Sequence, residues 1–183
     1  TLFVEKRSPV PLAKDSPWLI KALLAVEDSR FYDHGGVDWW GVGRAFFANT
    51  LLGRVDQGAS TLTMQLARNR FLTQDLSYRR KLREMMLARR IEAQFSKEQI
   101  LELYLNNVYF GSGAYGVASA SRLYFGRAPS ELSVAQAALL AGLVQAPSSL
   151  SPLVDAPAAL KRMKTVLQRM RETAVIDADS YDR

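Results

Sequence analysis

The stretch Ser16-Pro-Trp-Leu-Ile-Lys-Ala-Leu-Leu-Ala-Val-Glu-Asp28 opens on a helix signal and closes on a carboxylate. Ser16 suits an N-cap, and Pro17 suits the first helical position. Leu19, Ile20, Leu23 and Leu24 then recur at helical spacing, which predicts a helix with a buried stripe. Glu27 falls at the end of that apolar run, where a carboxylate is costly unless something meets it. Spacing alone also fits a plain surface helix end with capping acids. The lone histidine, His34, beside Gly35 and Gly36, is better placed to brace a turn than to bind metal.

Outward from this stretch the helical period continues. Asp38 is positioned to cap a second helix from Trp39 to about Leu52, which Gly53 would end. A loop over 55–59 leads to a third helix over 61–71, and Ser77 can cap a long one reaching Phe95. Ser96 with Gln99 forms a capping box for a helix over 97–106, and Ser133 with Gln136 forms another for a helix through Gln145. Asp155-Ala-Pro157 opens a final basic amphipathic helix. Residues 2–4 and 108–110 read as extended. The predicted class is mainly α, with no internal repeat.

The chain has 183 residues, enough for one well-cored domain and too few for two comfortable ones. Hydrophobic residues make up 48%, which excludes general disorder. The net charge of +6 points to an anionic partner: a phosphate ester, a nucleic acid or an acidic membrane surface. With no cysteine there is no disulfide and no thiolate metal site. The longest apolar run, 135–144, is too short to span a bilayer. The chain begins and ends abruptly, as an excised domain would.

Further segments carry candidate chemistry. Gly58-Ala-Ser-Thr-Leu-Thr-Met-Gln65 reads either as a capped loop entering an ordinary helix or as a polar groove. In the second reading Ser60, Thr61 and Gln65 line the groove, and Arg68 receives an anion. In Arg79-Arg-Lys-Leu-Arg-Glu84, helical spacing gathers Arg80, Lys81 and Glu84 on one face. That face is either a solvated salt-bridged surface or a pyrophosphate cradle. Leu87, Ala88 and Ile91 on the same strip favour a partly covered Glu84, which would orient the cations or hold a divalent ion. The aromatic run from Trp39 to Leu52 has too many large apolar groups for one face and reads as an interfacial, membrane-seated helix. A basic helical nucleic-acid binder would instead present a basic face free of apolar covering, and Glu84 and Glu92 interrupt this one.

In this order the pieces resemble the peptidoglycan glycosyltransferases of glycosyltransferase family 51. These are the polymerase modules of class A penicillin-binding proteins and the monofunctional glycosyltransferases. Glu27-Asp28 with Phe31, His34, Gly36 and Asp38 resembles the family's first motif. Ser60, Thr61, Thr63, Met64 and Gln65 resemble the second, and Arg80-Lys81 with Glu84 the third. Lys97 with Glu102, Tyr104 and Asn106 is similar to the fourth. Arg122-Leu-Tyr-Phe-Gly126 and Leu140-Ala-Gly-Leu-Val-Gln-Ala-Pro147 extend the match. Met64 stands where glutamine is usual and is expected to alter a hydrogen bond to a sugar; Val144 stands where proline is common.

The resemblance implies a mainly helical, lysozyme-like fold over 1–183, with a larger head and a smaller hydrophobic jaw over about 38–75 around a groove. It implies Glu27 and Glu84 as catalytic residues. Asp28, Phe31, His34, Ser60, Thr61, Gln65, Arg68, Arg80 and Lys81 would bind substrate. No metal-ligand spacing stands out; Mg2+ or Mn2+ at Glu84 is the one cofactor implied. The implied partners are lipid II, the nascent glycan and the bacterial membrane surface, with no nucleic acid. The implied setting is the periplasmic side of the inner membrane, in a larger membrane-anchored protein that is either bifunctional or monofunctional. The alternative within enzymes is a lysozyme-like hydrolase or lytic transglycosylase, which needs no cation cluster or hydrophobic jaw.

Overall fold

The computed structural model describes residues 9–52, 60–71 and 78–176, and the backbone alone for 45, 46, 48–52 and 71. The expected strand at 2–4, the loop at 55–59, the Gly53 stop and the Ser77 cap lie outside the described residues. Within them the chain is helical: α1 (Pro17–Glu27), α2 (Trp39–Leu52), α3 (Leu62–Phe71), α4 (Tyr78–Gln94), α5 (Lys97–Asn107), α6 (Val117–Phe125), α7 (Val134–Leu143) and α8 (Ala156–Glu172). The extended segment expected at 108–110 contributes an isolated antiparallel bridge between Tyr109 and Tyr115.

The chain divides into two compact units, one made of Thr1–Val26 with Glu102–Arg183 and the other of Glu27–Leu101. The stretch expected as the jaw, 38–75, falls inside the second unit, which is larger than that stretch alone.

In the first unit, Leu19, Ala22 and Leu23 of α1 are buried at three- and four-residue spacing. Burying each leucine stabilises the fold by roughly 1.5–3 kcal/mol. The Ser16 carbonyl accepts the Leu19 N–H at 3.0 Å, but its hydroxyl donates across to Leu132 O at 3.3 Å. The segment before α1 is tied to α5. Asn106 accepts the Val10 N–H and donates to Val10 O, both at 2.8 Å, while Glu102 accepts the Leu12 N–H at 2.9 Å. Asp15 is buried there, and neither carboxylate oxygen has a hydrogen-bond partner among the described residues. Burial, assisted by the nearby Glu102 charge, pushes the Asp15 carboxyl up to about 7.

The capping boxes form as read. Ser96 with Gln99, and Ser133 with Gln136, exchange side-chain and backbone bonds at the starts of α5 and α7. Asp155 accepts the Ala158 N–H at 2.9 Å and caps α8. Helix α7 is buried along Ala137 to Leu143, and ends at Leu143 rather than at the expected Gln145. Pro147 disfavours helical backbone at Ala146 and so limits any extension. At Gly142 a Cβ would meet the Arg162 stem at 3.0 Å, so α7 and α8 approach closely there.

In the second unit a small apolar cluster joins Val37, Met64 and Ala88, with Val42 and Met85 packed against it. Met64 is 1% exposed. The expectation that it bears on a hydrogen bond to a sugar is therefore corrected: its side chain fills the core between α3 and α4.

Candidate active site

Helix α1 ends on Glu27, and Gln65 of α3 donates from Nε2 to Glu27 Oε2 at 2.9 Å. The carboxylate at the end of the apolar run is thus half-buried and held by an amide from a distant segment. The next residue, Asp28, is buried and faces away into the protein. Its Oδ2 accepts the Leu62 N–H at 3.0 Å, satisfying a first-turn donor of α3 that no intrahelical carbonyl can reach. His34 Nε2 lies 3.0 and 3.1 Å from the two Asp28 oxygens. An ionised carboxylate only accepts, so the bonded imidazole nitrogen carries the proton. His34 braces this turn, as its place beside Gly35-Gly36 indicated.

Thr61 caps α3. Its hydroxyl donates to Gly36 O at 2.7 Å and accepts the Met64 N–H at 3.1 Å. The predicted start at Thr61 is thus one residue early, because Thr61 is the cap and Leu62 the first helical residue. Gly36 has φ +89, and a Cβ there would come within 2.7 Å of the Ala88 backbone. No side chain fits at that crossing with α4.

Helix α4 supplies the cations. Arg80 Nε is 3.3 Å from Glu84 Oε1 and Lys81 Nζ is 3.2 Å from Oε2. Lys81 also donates to the Ser60 hydroxyl, tying the entrance of α3 to α4. Glu84 is 1% exposed, so the strip is a covered carboxylate with a cation at each oxygen rather than a solvated charged face. Two cations on one carboxylate leave a positive charge in excess. Arg80 and Lys81 keep 17% and 40% of their side-chain surface exposed, so that charge remains accessible. Glu84 does not fit a divalent ion, which would have to displace both cations. Among the described residues no group of His, Asp and Glu is arranged to hold a metal.

The remaining candidates are placed differently. Arg68 lies one turn beyond Gln65 on α3 and is half-buried. Phe31 is buried at 1% exposure, meeting the His34 ring edge-on with centroids 6.2 Å apart. Reading the sequence passed over Thr63, Glu92 and Lys97 as site residues. The Thr63 hydroxyl donates to Glu92 Oε1 at 2.6 Å, and Lys97 Nζ is 2.6 Å from Glu92 Oε2. The signal was the spacing of Glu84, Ala88 and Glu92, four residues apart on one helical face. All these groups belong to the Glu27–Leu101 unit.

Residues 1–171 match the family described as transglycosylase. A Cupriavidus necator protein provisionally named a transglycosylase is 47% identical over 182 residues, covering all of this chain and 78% of its own length. Penicillin-binding protein 1A of Haemophilus influenzae is 47% identical over 178 residues, and that of Escherichia coli K12 is 44% identical over 179. These cover 97% and 98% of this chain, which spans only 21% of either relative. The crystal structure of penicillin-binding protein 1A from Haemophilus influenzae superposes with a TM-score of 0.56 and 27% identity, covering 96% of this chain and 17% of that one. The helical architecture is thus the lysozyme-like one expected, and the family match covers the stretch that carries the motif residues. The chain belongs to the transglycosylase family and is a peptidoglycan glycosyltransferase domain.

Proposed function

We propose that this domain polymerises lipid II into β-1,4-linked glycan with inversion at the anomeric carbon. The donor is the growing glycan, joined through its reducing-end N-acetylmuramic acid to undecaprenyl pyrophosphate. The acceptor is the 4-hydroxyl of the N-acetylglucosamine of lipid II. Glu27 takes the hydroxyl proton as the oxygen bonds to the donor anomeric carbon. The bond from that carbon to the pyrophosphate oxygen breaks, and undecaprenyl pyrophosphate leaves with the electron pair. Gln65 orients Glu27, and Arg80 and Lys81 stabilise the departing charge where it develops. Ser60 and Arg68 contact sugar or phosphate groups. Asp28, Thr61 and His34 act from beneath by fixing the entrance of α3.

The observation that carries this reading is the buried Glu84 of α4 holding Arg80 and Lys81 side by side, with Lys81 bonded to Ser60 at the entrance of the helix that presents Gln65 to Glu27. A simple hydrolase of glycan needs no such excess of cation. The exposed Trp39, Trp40 and Phe47 of α2 support a face seated at the membrane, where a lipid-linked substrate resides. No helix among the described residues is long and apolar enough to cross a membrane. The domain is read as acting on the periplasmic side of the inner membrane within a larger protein.

The test is labelled lipid II in detergent with wild type and Glu27→Gln, products being resolved by length. Long glycan from the wild type is expected, with Glu27→Gln slower by at least about a thousandfold and equally folded by circular dichroism. Normal turnover by Glu27→Gln would remove it as the base. Digestion of finished wall without polymerisation would replace the reading with the hydrolase.

A further inference from the structure

Glu92 stands outside the motifs that carry the family resemblance, yet its carboxylate is only 7% exposed. It lies eight residues beyond Glu84, on the face of α4 that carries the buried Ala88. An ionised carboxylate there is costly unless its oxygens are met. Thr63 of α3 meets one and Lys97, at the start of α5, meets the other. Lys97 Nζ also donates to His34 O at 2.6 Å, and His34 Nδ1 faces Glu92 Oε1 at 4.0 Å.

The consequence lies in α3. Its first turns are pinned at successive side chains and amides to different segments: Thr61 to Gly36, the Leu62 N–H to Asp28, Thr63 to Glu92 and Gln65 to Glu27. Residues two apart on a helix point about 200° from each other. Thr63 therefore holds the side of α3 that faces away from Glu27, while Gln65 reaches toward it. Over so short a length a helix turns as one body, so pinning Thr63 sets where Gln65 points.

We propose that Glu92 is a positioning residue for the reaction, acting through Thr63 to fix the rotation of α3 and thereby the bond from Gln65 to Glu27. The inference rests on the reading of Glu27 as the base. The ion pair with Lys97 holds the Glu92 carboxylate in place, and the Thr63 hydroxyl transmits its position to α3.

Thr63→Val is the cleanest test, since it keeps the side-chain shape and leaves the Glu92–Lys97 pair intact. Its kcat on lipid II is expected to fall about tenfold with KM within about twofold, the signature of lost transition-state positioning. Glu92→Ala is expected to lose more, and Glu92→Gln, which retains an acceptor for Thr63, less. In a Gln65→Ala background, Thr63→Val is expected to cost less than about threefold further, because the route passes through Gln65. A fully multiplicative loss there, or wild-type kcat for Thr63→Val, overturns the proposal.

Amide exchange gives a readout without turnover. The Met64 and Gln65 N–H groups are expected to exchange about tenfold faster in Thr63→Val, and wild-type protection overturns the proposal. A wild type that makes no glycan overturns the polymerase reading instead, while the exchange result still decides whether Glu92 fixes α3.

Discussion

Glu84 keeps its charge out of water because Arg80 and Lys81 each meet one of its oxygens. Replacing it with glutamine puts an amide NH2 beside a cation and removes the charge that holds the pair together. Glu84→Gln is expected to lower lipid II turnover about a hundredfold. Its effect on stability should be smaller, about 1–3 kcal/mol, because Arg80 and Lys81 retain access to solvent. Turnover assays and denaturant melts of the same preparations check both; unchanged turnover with lowered stability would make Glu84 structural. Helical spacing placed these three residues on one face. The completeness of the burial follows from packing, as do the partners of Asp28, which reaches Leu62 far along the chain.

At the level of the element, the crossing between the turn at Gly36 and α4 leaves no room for a side chain. Gly36→Ala would combine a positive φ with a backbone clash, and is expected to cost about 3 kcal/mol or more. At Gly35 a Cβ would meet nothing within 4 Å, so Gly35→Ala is expected to be nearly neutral. Thermal melts of the two variants separate these outcomes, and equal shifts would disprove the crossing. Helix α2 is a different case, since Trp39 and Trp40 are 61% and 70% exposed, whereas tryptophan is on average largely buried. Trp39→Ser with Trp40→Ser is expected to reduce cosedimentation with anionic vesicles about fivefold or more, without lowering the melting temperature. A lower melting temperature with unchanged vesicle binding would mark these rings as packing residues.

For the molecule as a whole, Asp15 links stability to pH. Its folded carboxyl lies at about 7 against 3.8 for the free group. Below pH 3.8 both folded and unfolded chains hold the proton, and burial carries no ionic penalty. Between about pH 4 and 7 the unfolded chain releases it while the folded one retains it, so stability falls as pH rises and levels off above 7. The full effect is of order 2–4 kcal/mol. Asp15→Asn is expected to stabilise the protein by about 1–3 kcal/mol at pH 8 and to change little near pH 4. Denaturant melts at the two pH values check it; equal shifts at both would exclude ionisation as the cause. The sequence by itself determined the helical class, the caps at Ser96, Ser133 and Asp155, and the order of the motif residues. Caps and periodicity act within a few residues of chain, so they are legible there. Only the tertiary structure decided that Glu84 is fully covered and the Glu92 side chain largely so, that Met64 is core, that Ser16 turns its hydroxyl to Leu132, and that Gln65 holds Glu27. Desolvation and pairing of this kind depend on which distant segments pack together, and no local pattern encodes that.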